Sequence, residues 1–151
     1  MINPAKTPKT YDMLQELFDT DSVARFIKRN QEHMLKSPFH EYLESICKIR
    51  SVIPAQVIAK SGIERVYGYH IFKGDKKPSR DKVIQLAFGF EMGYEETQEL
   101  LRAANKSPLH PKVKRDVVII FALNKSLTLG EVQNAMEELE LPLIGKEGKY
   151  D

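Results

Sequence analysis

Apolar positions along this chain recur at intervals of three and four, the period of a helix buried on one face. Met13, Leu14, Leu17 and Phe18 mark a first helix over residues 11–18. Asp19-Thr20-Asp21 interrupts it, and Asp21 is the expected N-cap of a second helix through Val23, Phe26 and Ile27 to about Asn30. Met34 and Leu35 extend that pattern or anchor the following link. Ser37 and Pro38 open a third helix, and Phe39, Tyr42, Leu43, Ile46 and Cys47 form its apolar stripe. Pro54 opens another in the same way, carrying Val57 and Ile58. Ile63, Tyr67 and Ile71 carry the next, over residues 63–72.

Ser79 is a natural N-cap for a helix whose Val83, Ile84, Leu86, Ala87, Phe88 and Phe90 are mostly core, with Gly89 allowing close helix packing. Gly93 caps a further helix, with Glu95 and Glu96 at its positive end and Leu100, Leu101 and Ala104 on its buried face. Ser107 to Pro111 reads as a connector. Pro111 then opens the most apolar element, with Val113, Val117, Val118, Ile120, Phe121 and Leu123. Its β-branched run also suits a strand; helix is preferred because no second convincing strand is there to pair with it. Thr128-x-x-Glu131 is a capping box for a last helix through Val132, Ala135, Met136 and Leu139, ended by Pro142. The expectation is an all-α chain without an internal repeat.

Gly62 lies between two short helical patterns, and two helices joined by a three- or four-residue turn containing Gly form a helix-turn-helix. Wound at about 100° per residue, the second helix places Arg65, Val66, Tyr69, His70 and Lys73 within an arc of roughly 140°. Tyr67, Gly68 and Ile71 fall on the other side, with Glu64 near the edge. Such a face suits base edges, phosphates and thymine methyls, and it equally suits an ordinary solvated surface. The loop that follows, Lys73 to Arg80, sharpens the picture. Gly74 can end the helix in the left-handed conformation. From Lys60 to Lys82 seven Lys/Arg stand against three Asp/Glu, a local +4 in a chain of +2 overall. A basic patch beside a groove-entering helix is the footprint of phosphate binding.

These residues resemble the lambda-repressor/Cro-like helix-turn-helix domains, the xenobiotic-response-element class of regulators. Gly62 matches the turn glycine, Val57, Ile63 and Ile71 match apolar positions, and Ile71-Phe72-Lys73-Gly74 to Pro78-Ser79 looks like the family's exit from its third helix. The likeness covers about residues 39 to 105. A bacterial subgroup with Tyr67 to Gly74, Pro78 to Lys82 and Ser107 to Leu109 in its pattern would extend it to about residue 144. Two positions depart from the family: Ile58 stands where a small residue is usual, and Gly68 where Val or Ile is usual. They face each other across the helix crossing, which reads as a volume swap.

The resemblance implies a lambda-repressor-like domain with extra N- and C-terminal helices. Residues 1–36 form a tail and helical arm, 37–106 the helix-turn-helix domain, 107–144 a C-terminal helical pair packed on the core, and 145–151 a flexible tail. Arg65, Val66, Tyr69 and His70 would face base edges of double-stranded DNA. Gln56, Lys73, Lys76, Lys77 and Arg80 would contact phosphates, helped by the free amides at the N-terminus of the helix that Pro54 opens. Tyr69 can instead lie over the DNA backbone, and His70, with a reference pKa near 6.5, can act neutral or charged. The function expected is sequence-specific transcription regulation, and the alternative is a protein-binding adaptor or antitoxin-like partner. A homodimer and a protein partner both remain open.

Composition narrows the remainder. The single Cys, Cys47, forms no internal disulfide and reads as a small buried hydrophobe. The four His show no metal-ligand spacing, and no nucleophile elbow or phosphate-cradling glycine loop occurs, so neither an enzyme nor a cofactor is expected. No apolar run reaches membrane-spanning length and no signal peptide opens the chain, which is expected to be cytoplasmic.

Overall fold

The computed structural model describes residues 10–33 and 39–146, which among themselves are helical and hold no strand. The chain divides into two compact units, Met1–Ser37 and Pro38–Asp151. The first contains α1 (Thr10–Asp19), α2 (Val23–Arg29) and a 3-10 turn, Gln31–His33. Ser22, not Asp21, caps α2: its hydroxyl accepts the Arg25 amide at 3.2 Å. Glu16 of α1 accepts from Arg29 and from Asn30 Nδ2, closing the pair, while Phe26 is buried. The expected tail at residues 1–9 and the link through Met34, Leu35, Ser37 and Pro38 lie outside the described residues.

The second unit contains α3 (Phe39–Arg50), α4 (Pro54–Ser61), α5 (Arg65–Lys73), α6 (Arg80–Gly89), α7 (Tyr94–Ala103), α8 (Lys114–Asn124) and α9 (Leu129–Glu138). The expected 37–106 domain, apart from residue 37, and the 107–144 segment both belong to it. The helix α6 is its axis, with every residue from Val83 to Phe90 buried. It crosses α4 closely at Gly89, where a methyl would lie 2.4 Å from the Val57 carbonyl oxygen. Gly62 ends α4 at φ 71°, the left-handed conformation that a β-carbon disfavours, and turns the chain into α5. A β-carbon on Gly62 would also meet Leu129 Cδ2 at 2.6 Å, so the start of α9 abuts this turn. Gln85 bridges the same place: its Nε2 donates to the Ser61 carbonyl at 3.1 Å, and its Oε1 accepts from Lys82 Nζ. A β-carbon on Gly145 would lie 2.6 Å from that Oε1.

The structure overturns the expectation of no internal repeat. Residues 80–110 superpose in pattern on residues 115–145 with one constant shift of 35 positions, Arg80 to Arg115, and no gap. Arg80/Arg115, Asp81/Asp116, Val83/Val118, Ile84/Ile119, Ala87/Ala122, Glu96/Glu131 and Gln98/Gln133 are identical pairs. The irregular features repeat as well. Glu91 and Ser126 are left-handed at φ 60° and 56°, and Asn105 and Glu140 at 58° and 57°. Gln98 brackets both the N–H and the C=O of Leu109, and Gln133 does the same to Ile144.

The two copies clasp each other reciprocally. Arg80 pairs bidentately with Asp116 at 3.1 and 2.9 Å, and Arg115 bidentately with Asp81 at 2.8 and 2.5 Å. Each Arg also donates to two carbonyls of its own copy, Arg80 to Ser107 and Pro108, Arg115 to Pro142 and Leu143. Each Asp accepts one backbone amide from the other copy, Asp116 from His110 and Asp81 from Gly145. Both carboxylates are buried, and the charges are compensated in the planar forked geometry that Arg provides. This reciprocity is that of a two-fold relation between copies. Gly145, expected to begin a flexible tail, is thus held at the clasp; residues 147–151 lie outside the described residues.

Candidate nucleic-acid interface

The helix α5 is held from one side. Gly68 and Ile71 are buried against the core, whereas Arg65, Val66 and Lys73 are exposed and Tyr69 and His70 half-buried. The four residues assigned to base edges therefore share the outer face. Val66 is 59% exposed, an open apolar side chain of the kind that can meet a thymine methyl. Arg65 lies over the Tyr69 ring at 5.9 Å, a cation–π contact that aligns the guanidinium along the helix.

The helix begins at Arg65, later than the apolar period implied, because Ile63 is buried in the turn and Glu64 is the N-cap. The Glu64 carboxylate accepts the Val66 and Tyr67 amides at 3.0 and 2.8 Å. Those two bonds, Tyr67 first, hold its carboxyl below the usual glutamate range. The periodicity gave no sign of this cap, which puts a negative charge at the leading end of the face. Cytosine N4 is the base group that a carboxylate recognises.

At the other end, Gly74 is left-handed at φ 86° and closes α5 through bonds to the His70 and Ile71 carbonyls. His70 Nδ1 lies 3.3 Å from the Asp75 carboxylate, which fixes the ring at the helix exit. Lys73, Lys76 and Lys77 are exposed around this loop. Gln56 uses its Oε1 to cap the Ile53 amide at 2.9 Å, which leaves its Nε2 as a donor at the opening of α4. Arg80 needs correcting. Four of its five N–H groups are spent on Asp116, Ser107 and Pro108, so it belongs to the clasp and not to the basic loop. High local charge density drew it into the phosphate set; sequence could not show that its partner lay 36 residues away.

A cleft of about 610 Å³ flanks α5, lined in part by Cys47, Lys48, Val52, Tyr69 and Phe72. The Cys47 thiol is pushed up by burial and then by Glu44, the direction expected of a buried structural cysteine. Among the described residues no cluster of His, Cys, Asp and Glu is arranged to hold a metal ion, and no helix is long and apolar enough to cross a membrane. Comparison of the chain with protein-family models, curated proteins and solved structures found no match.

Proposed function

We propose that α3–α7 form a repressor-type helix-turn-helix domain and that the protein is a sequence-specific DNA-binding transcription regulator, with α5 entering the major groove. The observation that carries this reading is the two-sidedness of α5. Its small and apolar residues are sunk into the core behind a tight glycine turn, while Arg65, Val66, Tyr69 and His70 stand outward with lysines at its exit. Base readers on the helix and cations beside it is the division of labour that groove recognition requires. The capping carboxylate of Glu64 favours a second reading, a protein-binding adaptor, because a fixed negative charge at the leading end of the face repels phosphate.

Selection of duplexes from random DNA, followed by titration across salt, tests the first reading. Log affinity should fall with log salt by about 0.9 per neutralised phosphate, and Lys76→Ala with Lys77→Ala should flatten that slope by about two units on every sequence. Arg65→Ala should cost about 1–3 kcal/mol on the selected site and much less on random duplex. A selection that yields no sequence, or equal losses on both duplexes, rejects base reading by α5.

A further inference from the structure

We propose that the outer face of α8 is a docking site for an acidic amphipathic α-helix of a partner protein. The proposal starts from the duplication. In the first copy, Gln85 and Gly89 lie beneath α4: Gln85 Nε2 binds the Ser61 carbonyl, and Gly89 lets the Val57 carbonyl approach. Leu86, beside them, is fully buried. A shift of 35 positions turns Gln85, Leu86 and Gly89 into Ile120, Phe121 and Asn124 of α8. Within the second unit no described helix plays the part of α4 there. Phe121 is 57% exposed, Val117, one turn before it, 44%, and Val113, the N-cap of α8, 47%. Single exposed apolar residues need no explanation. Two one turn apart on one helix face, with the exposed N-cap Val113 ahead of them, at the place where the sister copy is covered by a helix, form an unoccupied helix seat. Asn124 in place of Gly89 fills the close crossing point, so the occupant lies farther from α8 than α4 does from α6 and needs long apolar side chains to reach it.

Charge selects the occupant. Exposed Lys112, Lys114 and Lys125 flank the stripe along the chain, and Lys125 Nζ sits over the Phe121 ring at 5.9 Å. The acid of α8, Asp116, is buried in the clasp. A second copy docking α8 on α8 would bring lysines against lysines, which Coulomb repulsion disfavours. A helix with leucine-like anchors one turn apart and Asp or Glu on either flank satisfies both the stripe and its border, in the helix-in-groove mode of recognition.

The test is a phage-displayed library of a stable helical scaffold with its outer surface randomised, panned on the full chain. Counter-selection uses the Val117→Ser/Phe121→Ser variant, whose positions are exposed. Winning helices should carry apolar residues at one-turn spacing flanked by acids, and should bind that variant at least tenfold more weakly. Lys112→Glu with Lys114→Glu should weaken them severalfold, and Lys76→Ala should leave them unchanged. Failure of the library to converge, convergence on basic helices, or equal binding to the variants overturns the proposal. So does a dimer, seen by sedimentation equilibrium, that dissociates in Val117→Ser/Phe121→Ser, since the face then belongs to a second copy. Nucleic-acid binding abolished by the same two substitutions overturns it equally. None of these outcomes depends on α5 reading DNA.

Discussion

A side chain at position 68 has no room. A β-carbon there would lie 2.8 Å from Ile58 Cγ2, 2.9 Å from Cγ1 and 3.0 Å from Cδ1. The first two branch directly from the Ile58 β-carbon, so no low-energy rotamer takes both away. Gly68→Ala gains about 1 kcal/mol of helix propensity but overpacks the crossing, at about 1–3 kcal/mol. It should therefore destabilise the protein. Ile58→Val keeps both offending methyl positions and should rescue little. Ile58→Ala clears all three atoms at its own cost of about 2–5 kcal/mol. In the Ile58→Ala background the same Gly68→Ala should become stabilising. Thermal unfolding of the four proteins measures this reversal of sign, with a coupling of about 0.5–3 kcal/mol. Additivity would mean that the two helices relax apart at this crossing. The pairing of these two positions was legible in sequence, because a departure toward large at one and toward small at the other makes physical sense only in contact.

At the scale of the element, α5 depends on Glu64 for its first turn. The carboxyl sits below its unfolded range, so the cap contributes in full above that range and is lost as pH falls through the lowered folded value. Urea midpoints of the native protein and Glu64→Ala should differ most at neutral pH and converge as pH falls below about 4. A gap that does not narrow would mean that the residue supports the turn by packing. Element boundaries fixed by local chemistry could be read directly: Ser79 accepts the Lys82 amide, Thr128 and Glu131 form their box, and Gly62 and Gly74 take the left-handed conformation. Boundaries fixed by tertiary contact could not. Ile63 continues the apolar period of α5 yet serves the turn, and Pro111 precedes α8 by three residues because Val113 is its N-cap. Periodicity marked α8 as the most apolar element, but it reports how apolar a face is and not whether anything covers it. The repeat is short in sequence: Arg-Asp-x-Val-Ile-x-x-Ala recurs at 80–87 and 115–122, but beyond it only Glu96/Glu131 and Gln98/Gln133 are identical, so the two segments read as two ordinary helices.

For the whole molecule, the two Arg-Asp dipeptides decide whether the second unit holds together. Asp81→Ala leaves Arg115 and the Gly145 amide without their shared carboxylate, and removing one partner of a buried pair costs about 3–5 kcal/mol. Asp116→Ala strips Arg80 and the His110 amide in the same way and should cost a comparable amount. Replacing both Arg115 and Asp81 with apolar residues of similar volume should cost less than Asp81→Ala alone, because no unpaired charge is left inside. Equilibrium urea denaturation ranks these variants, and a double replacement less stable than either single one would show the clasp to be a net source of stability. The second copy also reaches the turn that aims α5: Leu129 lies against Gly62, and Gln85 touches both Ser61 and the Gly145 end. If a helix seated on α8 shifts that contact, its binding and that of a duplex on α5 share one free energy. Linkage then requires the factor by which DNA changes affinity for the helix to equal the factor by which the helix changes affinity for DNA.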